Sequence, residues 1–358
     1  MPFGVYIHIP YCLSKCHYCD FYSMGHSKSV PHSYIAALLD QISYHAPLQK
    51  ADTVYFGGGT PSLLQPDQVR QLLQALPVKA DAEITLEANP ETVTADSLKG
   101  YRLAGVNRIS FGVQTALNSS LHTLGRPHTA EQAKTALFMT KTAGFTNISG
   151  DIMLALPHYS CAEFDATMAL LVEGGVTHIS SYLLKIEEGT AFGIHPPSAL
   201  PTEEQASDFY LYMVAQLKKA GYAQYEISNF AHPGFESRHN LLYWNCEDYL
   251  GLGPAAHSCI KGKRFFYPPN LQNFLAGLSR PVADGDCTAE DYIMLQLRLT
   301  KGLNLTTLQQ KYGLQFTPKQ QAFIQRLTKE GYAMLSNNIL TLTPKGMLVQ
   351  NTILCQLL

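Results

Sequence analysis

Six times in its first two thirds this chain passes from a short apolar, β-branched run into a longer stretch of helical period. That order builds repeated βα units around a parallel sheet, which makes the expected fold class α/β. The candidate strands are Gly4 to Ile9, Thr53 to Phe56, Glu83 to Glu87, Asn107 to Val113, Asn147 to Met153 and His178 to Leu183. The helices between and after them are expected near Ser33 to His45, Pro66 to Leu76, Ala95 to Ala104, Ala130 to Ala143, Cys161 to Glu173 and Thr202 to Ala220. Thr94 and Thr202 stand where N-caps belong, and Gly105, Gly144 and Gly221 follow helices where a left-handed residue is wanted.

Beyond about Tyr222 the pattern becomes irregular as far as Pro281, rich in Gly, Pro, Asn and aromatic residues, and reads as a cap or linker. From about Thr288 the order changes to helices over Ala289 to Leu299, Asn304 to Tyr312 and Thr317 to Glu330, then a strand pair around Ser336 to Leu342. This resembles a small helical, winged-helix-like domain. The expected division is therefore 1–221, 222–287 and 288–358. With 358 residues and 46% hydrophobic content the chain can bury a full core.

Winged helices often bind DNA, but this one is only mildly basic, and the whole chain sets 26 Lys plus Arg against 28 Asp plus Glu. Only 15% of its residues are charged, below the usual share of about 25%. No global basic field exists to hold nucleic acid, so packing against the first domain is the expected role of the C-terminal part. No apolar run approaches the roughly 18 residues that span a bilayer. The start, MPFGVYIHIPYC, lacks a basic n-region and a cleavage pattern, so a cytoplasmic location is expected.

Three of the eight cysteines, Cys12, Cys16 and Cys19, fall directly after the first strand, whereas the other five are scattered. Such clustering suggests a metal rather than a disulfide framework. Structural zinc would close its shell with a fourth Cys or His, for which His8, His17 and His26 are available. A cubane cluster held by three Cys leaves one iron free for an outside ligand. Polar residues also gather where an α/β active site gathers, at the C-terminal ends of the strands. These are Tyr6 and the cysteine loop, Gly57-Gly58-Gly59-Thr60-Pro61, Glu87-Ala88-Asn89-Pro90, Gln114, Asp151, and Tyr182 with Lys185. The glycine run lacks a following Lys-Ser/Thr, so it is not a P-loop. Without side chains it lets backbone carbonyls reach a ligand amine.

The segment YIHIPYCLSKCHYCDF resembles the radical S-adenosylmethionine superfamily, in which this cysteine spacing binds a [4Fe-4S] cluster. The resemblance implies a partial (β/α)6 TIM-like barrel. It also implies that the methionyl amino and carboxylate groups of S-adenosylmethionine chelate the open iron, and that an electron from the cluster cleaves the sulfonium. VYFGGGTPSLL, EANPETVT, RISFGVQ, LGRPH and GDIMLALP look like the coproporphyrinogen-oxidase-like branch. On that basis Gly58, Gly59 and Thr60 would meet the amino group of the cofactor. Glu87, Gln114 and Asp151 offer acceptors for ribose hydroxyls, and Arg126 a forked donor for a carboxylate. Tyr6, Tyr18 and Lys185 match further pocket positions of the branch. Ordinary polar loop chemistry at strand ends is the alternative for any one of them.

Within this branch the chain departs from the coproporphyrinogen III dehydrogenases in two ways. Phe21 stands where their motif has a fourth cysteine, and eleven residues precede Cys12 where they carry a longer extension. Arg238-His239-Asn240-Leu241-Leu242-Tyr243-Trp244 instead resembles the HNxxYW motif of the HemW-type haem chaperones. His239 could offer an imidazole to haem iron beside the flat surfaces of Tyr243 and Trp244, with Cys246 and His257 as lesser candidates. A buried aromatic cluster around a hydrogen-bonded histidine is the alternative. The resemblance covers essentially the full chain and implies haem delivery to haem-requiring proteins, respiratory ones among them. It leaves peripheral membrane contact, a homodimer and radical chemistry on a porphyrin-like substrate open.

Overall fold

A computed structural model describes residues 2–358. Strands β1 (Phe3–Ile9), β2 (Ala51–Gly58), β3 (Val78–Ala88), β4 (Arg108–Gln114), β5 (Asn147–Leu154) and β6 (His178–Leu183) lie parallel, each beside the next in chain order. The helices between them run over His32–Tyr44, Pro66–Ala75, Ala95–Ala104, Ala130–Thr142 and Cys161–Glu173, with Glu203–Lys219 after β6. All six βα units expected from periodicity are present. The main shift is at β3, which begins at Val78 rather than Glu83.

Strand side chains alternate between two faces, and the two faces differ sharply in chemistry. Val5, Ile7, Ile9, Val54, Phe56, Leu86, Ile109, Phe111, Ile148, Ile152 and Ile179 form one continuous apolar core. The opposite face carries Tyr6 and His8, Tyr55, Thr85 and Glu87, Arg108 and Ser110, Ser149 and Asp151, and His178 and Ser180. Register lines these residues up, with Thr85 beside Arg108, Glu87 beside Ser110 and Asp151 beside Ser180. A parallel barrel normally fills that interior with branched apolar side chains. Here the interior is polar, so it is a site and not a core.

The sheet does not stop at six strands. Beside β6 lies β8 (Asn229–Ala231), antiparallel to it, and beyond that β7 (Ala223–Gln224), antiparallel to β8. Strand β9 (Asp248–Leu252) pairs parallel with β1, and β10 (His257–Ile260), β11 (Lys263–Phe266) and β12 (Val282–Asp286) extend that edge. The full order is β12-β11-β10-β9-β1-β2-β3-β4-β5-β6-β8-β7. The segment read as a cap or linker therefore supplies both sheet edges. Its strands are too short to show an apolar period.

Between β8 and β9 the helix Arg238–Trp244 crosses from one edge to the other, against the start of β1, β2 and β3. Glu83 of β3 accepts the backbone N–H groups of Arg238 and His239, both at 3.1 Å. A carboxylate there satisfies two otherwise unpaired donors and complements the helix dipole. Gly4 is required beneath it, because a Cβ would lie 2.6 Å from Leu242 Cδ1.

The C-terminal unit has its own core around Ile293, Leu297, Leu308, Ile324, Leu327 and Leu340. Helices Ala289–Gln296, Leu305–Tyr312 and Pro318–Lys329 pack with a small sheet of β13 (Leu303–Asn304), β15 (Ile339–Leu342) and β14 (Ala333–Ser336), in that order. Asn337 and Asn338 turn the β14–β15 hairpin with φ of 51° and 60°, the left-handed pair that a two-residue hairpin wants. Two helices not expected from the sequence, Pro344–Leu348 and Gln350–Leu357, close the chain. Among the described residues no helix is long and apolar enough to cross a membrane.

The two units are joined by a buried ion pair. Glu226 has no exposed surface and accepts from Arg298 Nη2 (3.0 Å), Ser228 N (2.7 Å) and Asn229 Nδ2 (2.6 Å). Removing one partner of such a pair strands the other charge. Glu226→Ala is expected to lower stability by about 3–5 kcal/mol in chemical denaturation, and Glu226→Gln, which keeps an acceptor oxygen, by less.

Candidate functional site

The cysteine loop leaves β1 at Pro10 and is fastened at its base by backbone bonds. Cys12 N donates to Met24 O (2.9 Å), Met24 N to Pro10 O (2.7 Å) and Ser27 N to Cys12 O (2.8 Å). Its far end is held by His17, whose N–H donates to Leu124 O (3.0 Å) and whose carbonyl accepts from Phe192 N (2.9 Å). Cys12, Cys16 and Cys19 are all free thiols, and all three line one cavity of about 320 Å³. Among the described residues no three His, Cys, Asp or Glu side chains close on a single ion's position. A four-iron cube takes its thiolates at separate corners, whereas one zinc ion draws its ligands to a single point.

None of the three histidines available to a zinc site faces this cavity. The His8 ring is held between Tyr6 OH (3.1 Å) and Tyr22 O (2.8 Å), and His17 Nδ1 lies 2.9 Å from Thr123 O. The rest of the cavity wall comes from the C-terminal ends of the strands. Gly58 ends β2 and Gly59 and Thr60 follow it, Glu87 is near the end of β3 and Asn89 just past it, Gln114 ends β4, Asp151 stands on β5, and Tyr182 is near the end of β6 with Lys185 just past it. Gln114 is a non-glycine residue at φ 66°, a conformation that costs energy and is held by its surroundings.

The glycines do more than clear space for a ligand. At Gly58, with φ of 112°, a Cβ would lie 2.6 Å from the His8 ring. At Gly59 it would lie 2.9 Å from Cys12 Sγ and 2.8 Å from Tyr11 O. The end of β2 therefore packs directly on the cysteine loop, and any side chain there would push the first thiol out of place.

Charge in the cavity is arranged in opposed groups. Burial pushes the Glu87 carboxyl up to about 7, with Asp151 adding to the rise, against bonds from Tyr55 OH (2.7 Å) and Gly58 N (3.2 Å). Burial also raises Asp151, opposed by hydrogen bonds from Ser180 and Ser110 and by the Arg108 and Arg126 cations. Burial works against the Arg126 cation, but Tyr18 and Cys16 keep it firmly protonated. Its fork is held by Tyr18 OH (2.6 and 3.2 Å) and Asn89 Oδ1 (2.8 Å). Three of its five N–H groups are thus engaged, which leaves two for an anion. Three thiols, two acids and an oriented guanidinium form a donor set that fits an iron–sulfur cube and an amino-acid-bearing nucleotide.

Three expected residues are placed differently. Lys185 borders the cavity but its side chain is 78% exposed and paired with Glu187 at 2.6 Å. Tyr6 does not face the cysteine cavity; it lines a second one, together with Cys246 and His257. His239 faces neither cavity. It is 1% exposed, with Nδ1 2.7 Å from Thr53 Oγ1 and Nε2 2.7 Å from Tyr243 OH. Burial drives its pKa down to about 3, which keeps the ring neutral, and both of its nitrogens are hydrogen-bonded.

Sequence reasoning missed Tyr55, Ser110, Ser180 and Arg108, which position Glu87 and Asp151 from within the sheet. Their signal was present: a polar residue at every second position of strands read simply as apolar.

Residues 6–171 match the family described as the Radical SAM superfamily, and residues 288–349 match the HemN C-terminal domain. The heme chaperone HemW of Lactococcus lactis is 32% identical over 98% of this chain and 96% of its own length. The heme chaperone HemW of Escherichia coli is 42% identical over 72% of this chain and 70% of its own length. The solved structure of coproporphyrinogen III oxidase (HemN) from Escherichia coli superposes with a TM-score of 0.84 at 24% identity, covering 99% of this chain and 90% of that one. At that identity the likeness fixes the fold alone. The chain is a radical S-adenosylmethionine protein, a class whose cofactors are a [4Fe-4S] cluster and S-adenosylmethionine. Within that class it belongs to the HemW family.

Glu87 supplies a test of the cavity's electrostatics. It binds its proton more tightly in the folded apoprotein than in the unfolded chain, so folded stability falls as pH rises from about 4.5 to about 7. The cost above that window is up to about 3 kcal/mol, less where cavity water screens the carboxyl. Glu87→Gln is expected to raise the melting temperature of the apoprotein near pH 8 and to change it little near pH 4.5. A parallel shift at both pH values would contradict this.

Proposed function

We propose that Cys12, Cys16 and Cys19 hold the [4Fe-4S] cluster, that S-adenosylmethionine occupies the adjoining strand-end cavity, and that the chain binds haem and passes it to haem-requiring acceptor proteins. The observation that carries this reading is the shared cavity. Three free thiols and the polar ends of five strands line it together, in a chain that matches heme chaperone relatives over nearly its whole length.

When bound, the cluster and S-adenosylmethionine supply a low-potential electron and a sulfonium that can accept it. The chain's own part is binding and orientation. Asn89 and Tyr18 fix the plane of the Arg126 guanidinium, so its two free N–H groups are aimed before a carboxylate arrives. Glu87 and Asp151 are the acceptors for hydroxyl groups, and Glu87 titrates close enough to neutrality to act as donor as well. The apolar Phe21, 62% exposed, stands at the cavity wall where a fourth thiol would otherwise reach.

Anaerobic reconstitution of the full chain is expected to give about four iron and four sulfide per chain, with a paramagnetic signal that changes when S-adenosylmethionine is added. Cys12→Ala, Cys16→Ala and Cys19→Ala should each abolish that signal. Haem added to the reconstituted protein should give a Soret band and move to an apo-haemoprotein on mixing. A cluster sealed by a fourth side chain, or no haem binding by wild type, would overturn the reading. Conversion of coproporphyrinogen III under reducing conditions would replace the carrier role with an enzymatic one.

A further inference from the structure

The second cavity, of about 510 Å³, opens where β9, β10 and β11 meet the helix Ala289–Gln296 of the C-terminal unit. Its walls are largely flat and apolar, made by Tyr243, Trp244, Tyr249 and Leu295. Tyr243 and Tyr249 meet edge to face at 4.5 Å, and Arg298 lies over the Trp244 ring at 4.3 Å. The indole Nε1 of Trp244 is buried without a hydrogen-bond partner, a donor the fold itself leaves unused.

Three thiols from three separate segments come together at this cavity. Cys246 follows the helix Arg238–Trp244, Cys259 stands on β10, and Cys287 follows β12; all are free and all line the cavity. Cys287 is hydrogen-bonded to both of the others. The Lys311 and Arg264 cations act on the same thiol from the C-terminal unit and from β11. Among the described residues no three such side chains close on a single ion's position, these thiols included. Haem iron asks for less, since it takes one protein ligand on a face.

We propose that this cavity is the haem-binding site of the chain and that Cys287 Sγ is the protein ligand to the haem iron, a proposal that rests on the haem-carrying reading above. The flat ring has aromatic walls to pack against, and Arg264, paired with Asp291 at 3.0 Å, is the cation of the cavity wall for its carboxylates. Cys246 and Cys259 are positioning residues. They touch the ligand sulfur and not the iron, and hydrogen bonds to a ligand sulfur tune its donor strength. The site differs from the sequence expectation, in which His239 offered its imidazole. It keeps Trp244 and Tyr243 as wall, and it lies at the junction of two units, open to solvent on one side, as delivery to an acceptor requires.

The test is a haemin titration of the full chain, cluster reconstituted, without oxygen and with a phosphine reductant to keep thiols free. Wild type is expected to bind haem with a thiolate-ligated ferric spectrum. Cys287→Ser should lose that spectrum and weaken binding roughly ten-fold or more, since even the loss of an outer-sphere partner costs about that much, while the cluster absorbance stays unchanged. Cys161→Ser, outside the cavity, should behave as wild type. Leu295→Trp, which fills the cavity and leaves every thiol in the chain, should weaken haem binding to the same degree. If wild type binds no haem, the haem-carrying reading fails and this assignment with it. If wild type binds but Cys287→Ser and Leu295→Trp keep its affinity and spectrum, only the assignment falls.

Discussion

The polar inward face of the parallel sheet governs the rest of the molecule. In β1 to β6 every second residue packs outward into an apolar core, so the register of that core also fixes where each inward polar side chain stands. Sliding any strand by one residue would exchange the faces, burying Glu87 or Asp151 among leucines and isoleucines. The hydrophobic energy of the outer layer therefore determines the geometry of the inner one. Because the inner residues do not pack as a core, they are free to be acids, hydroxyls and a guanidinium in mutual contact.

That arrangement also explains how the cysteine loop is held. A loop with three thiols has little apolar surface of its own, and its position comes from backbone bonds to β1 and from the end of β2 lying against it. Gly59 allows the close approach, and Tyr11 packs its ring at 5.2 Å, edge-on, against the fully buried Tyr34 of the first helix. The first thiol is thus tied to the core on one side and to the glycine run on the other. The second and third reach the same cavity through a loop whose far end is anchored on His17.

Much of this was legible in the sequence, and the exceptions have physical causes. The six βα units, the caps at Thr94 and Thr202 and the helix order of the C-terminal unit all follow from periodicities strong enough to survive tertiary context. Strands β7 to β12 were not legible. Two or three residues such as Ala223–Gln224 or Asn229–Ala231 are strands only because a neighbouring edge is there to pair with. The cysteine spacing located one wall of the first cavity, and the strand ends located the others. Cys287 escaped notice because nothing near it in sequence marks it; Cys246 and Cys259 reach it only through the fold.

The segment His239 to Trp244 shows how one short motif can serve both the sheet interior and the second cavity. His239 and Tyr243 are four residues apart, so they share a helix face and bond to each other at 2.7 Å. The other His239 nitrogen meets Thr53 on β2, which fastens the helix beneath the polar interior of the sheet. Its ring also stacks on Tyr55 at 5.1 Å, and Tyr55 in turn holds Glu87. Trp244, one residue on from Tyr243, points about a quarter-turn away on the helix and becomes a wall of the second cavity, backed by Arg298. The histidine is thus the fastener and the aromatics are the surface. Replacing His239 by alanine would remove the contacts with Thr53 and Tyr243 that set the helix, and with them the ring that packs on Tyr55.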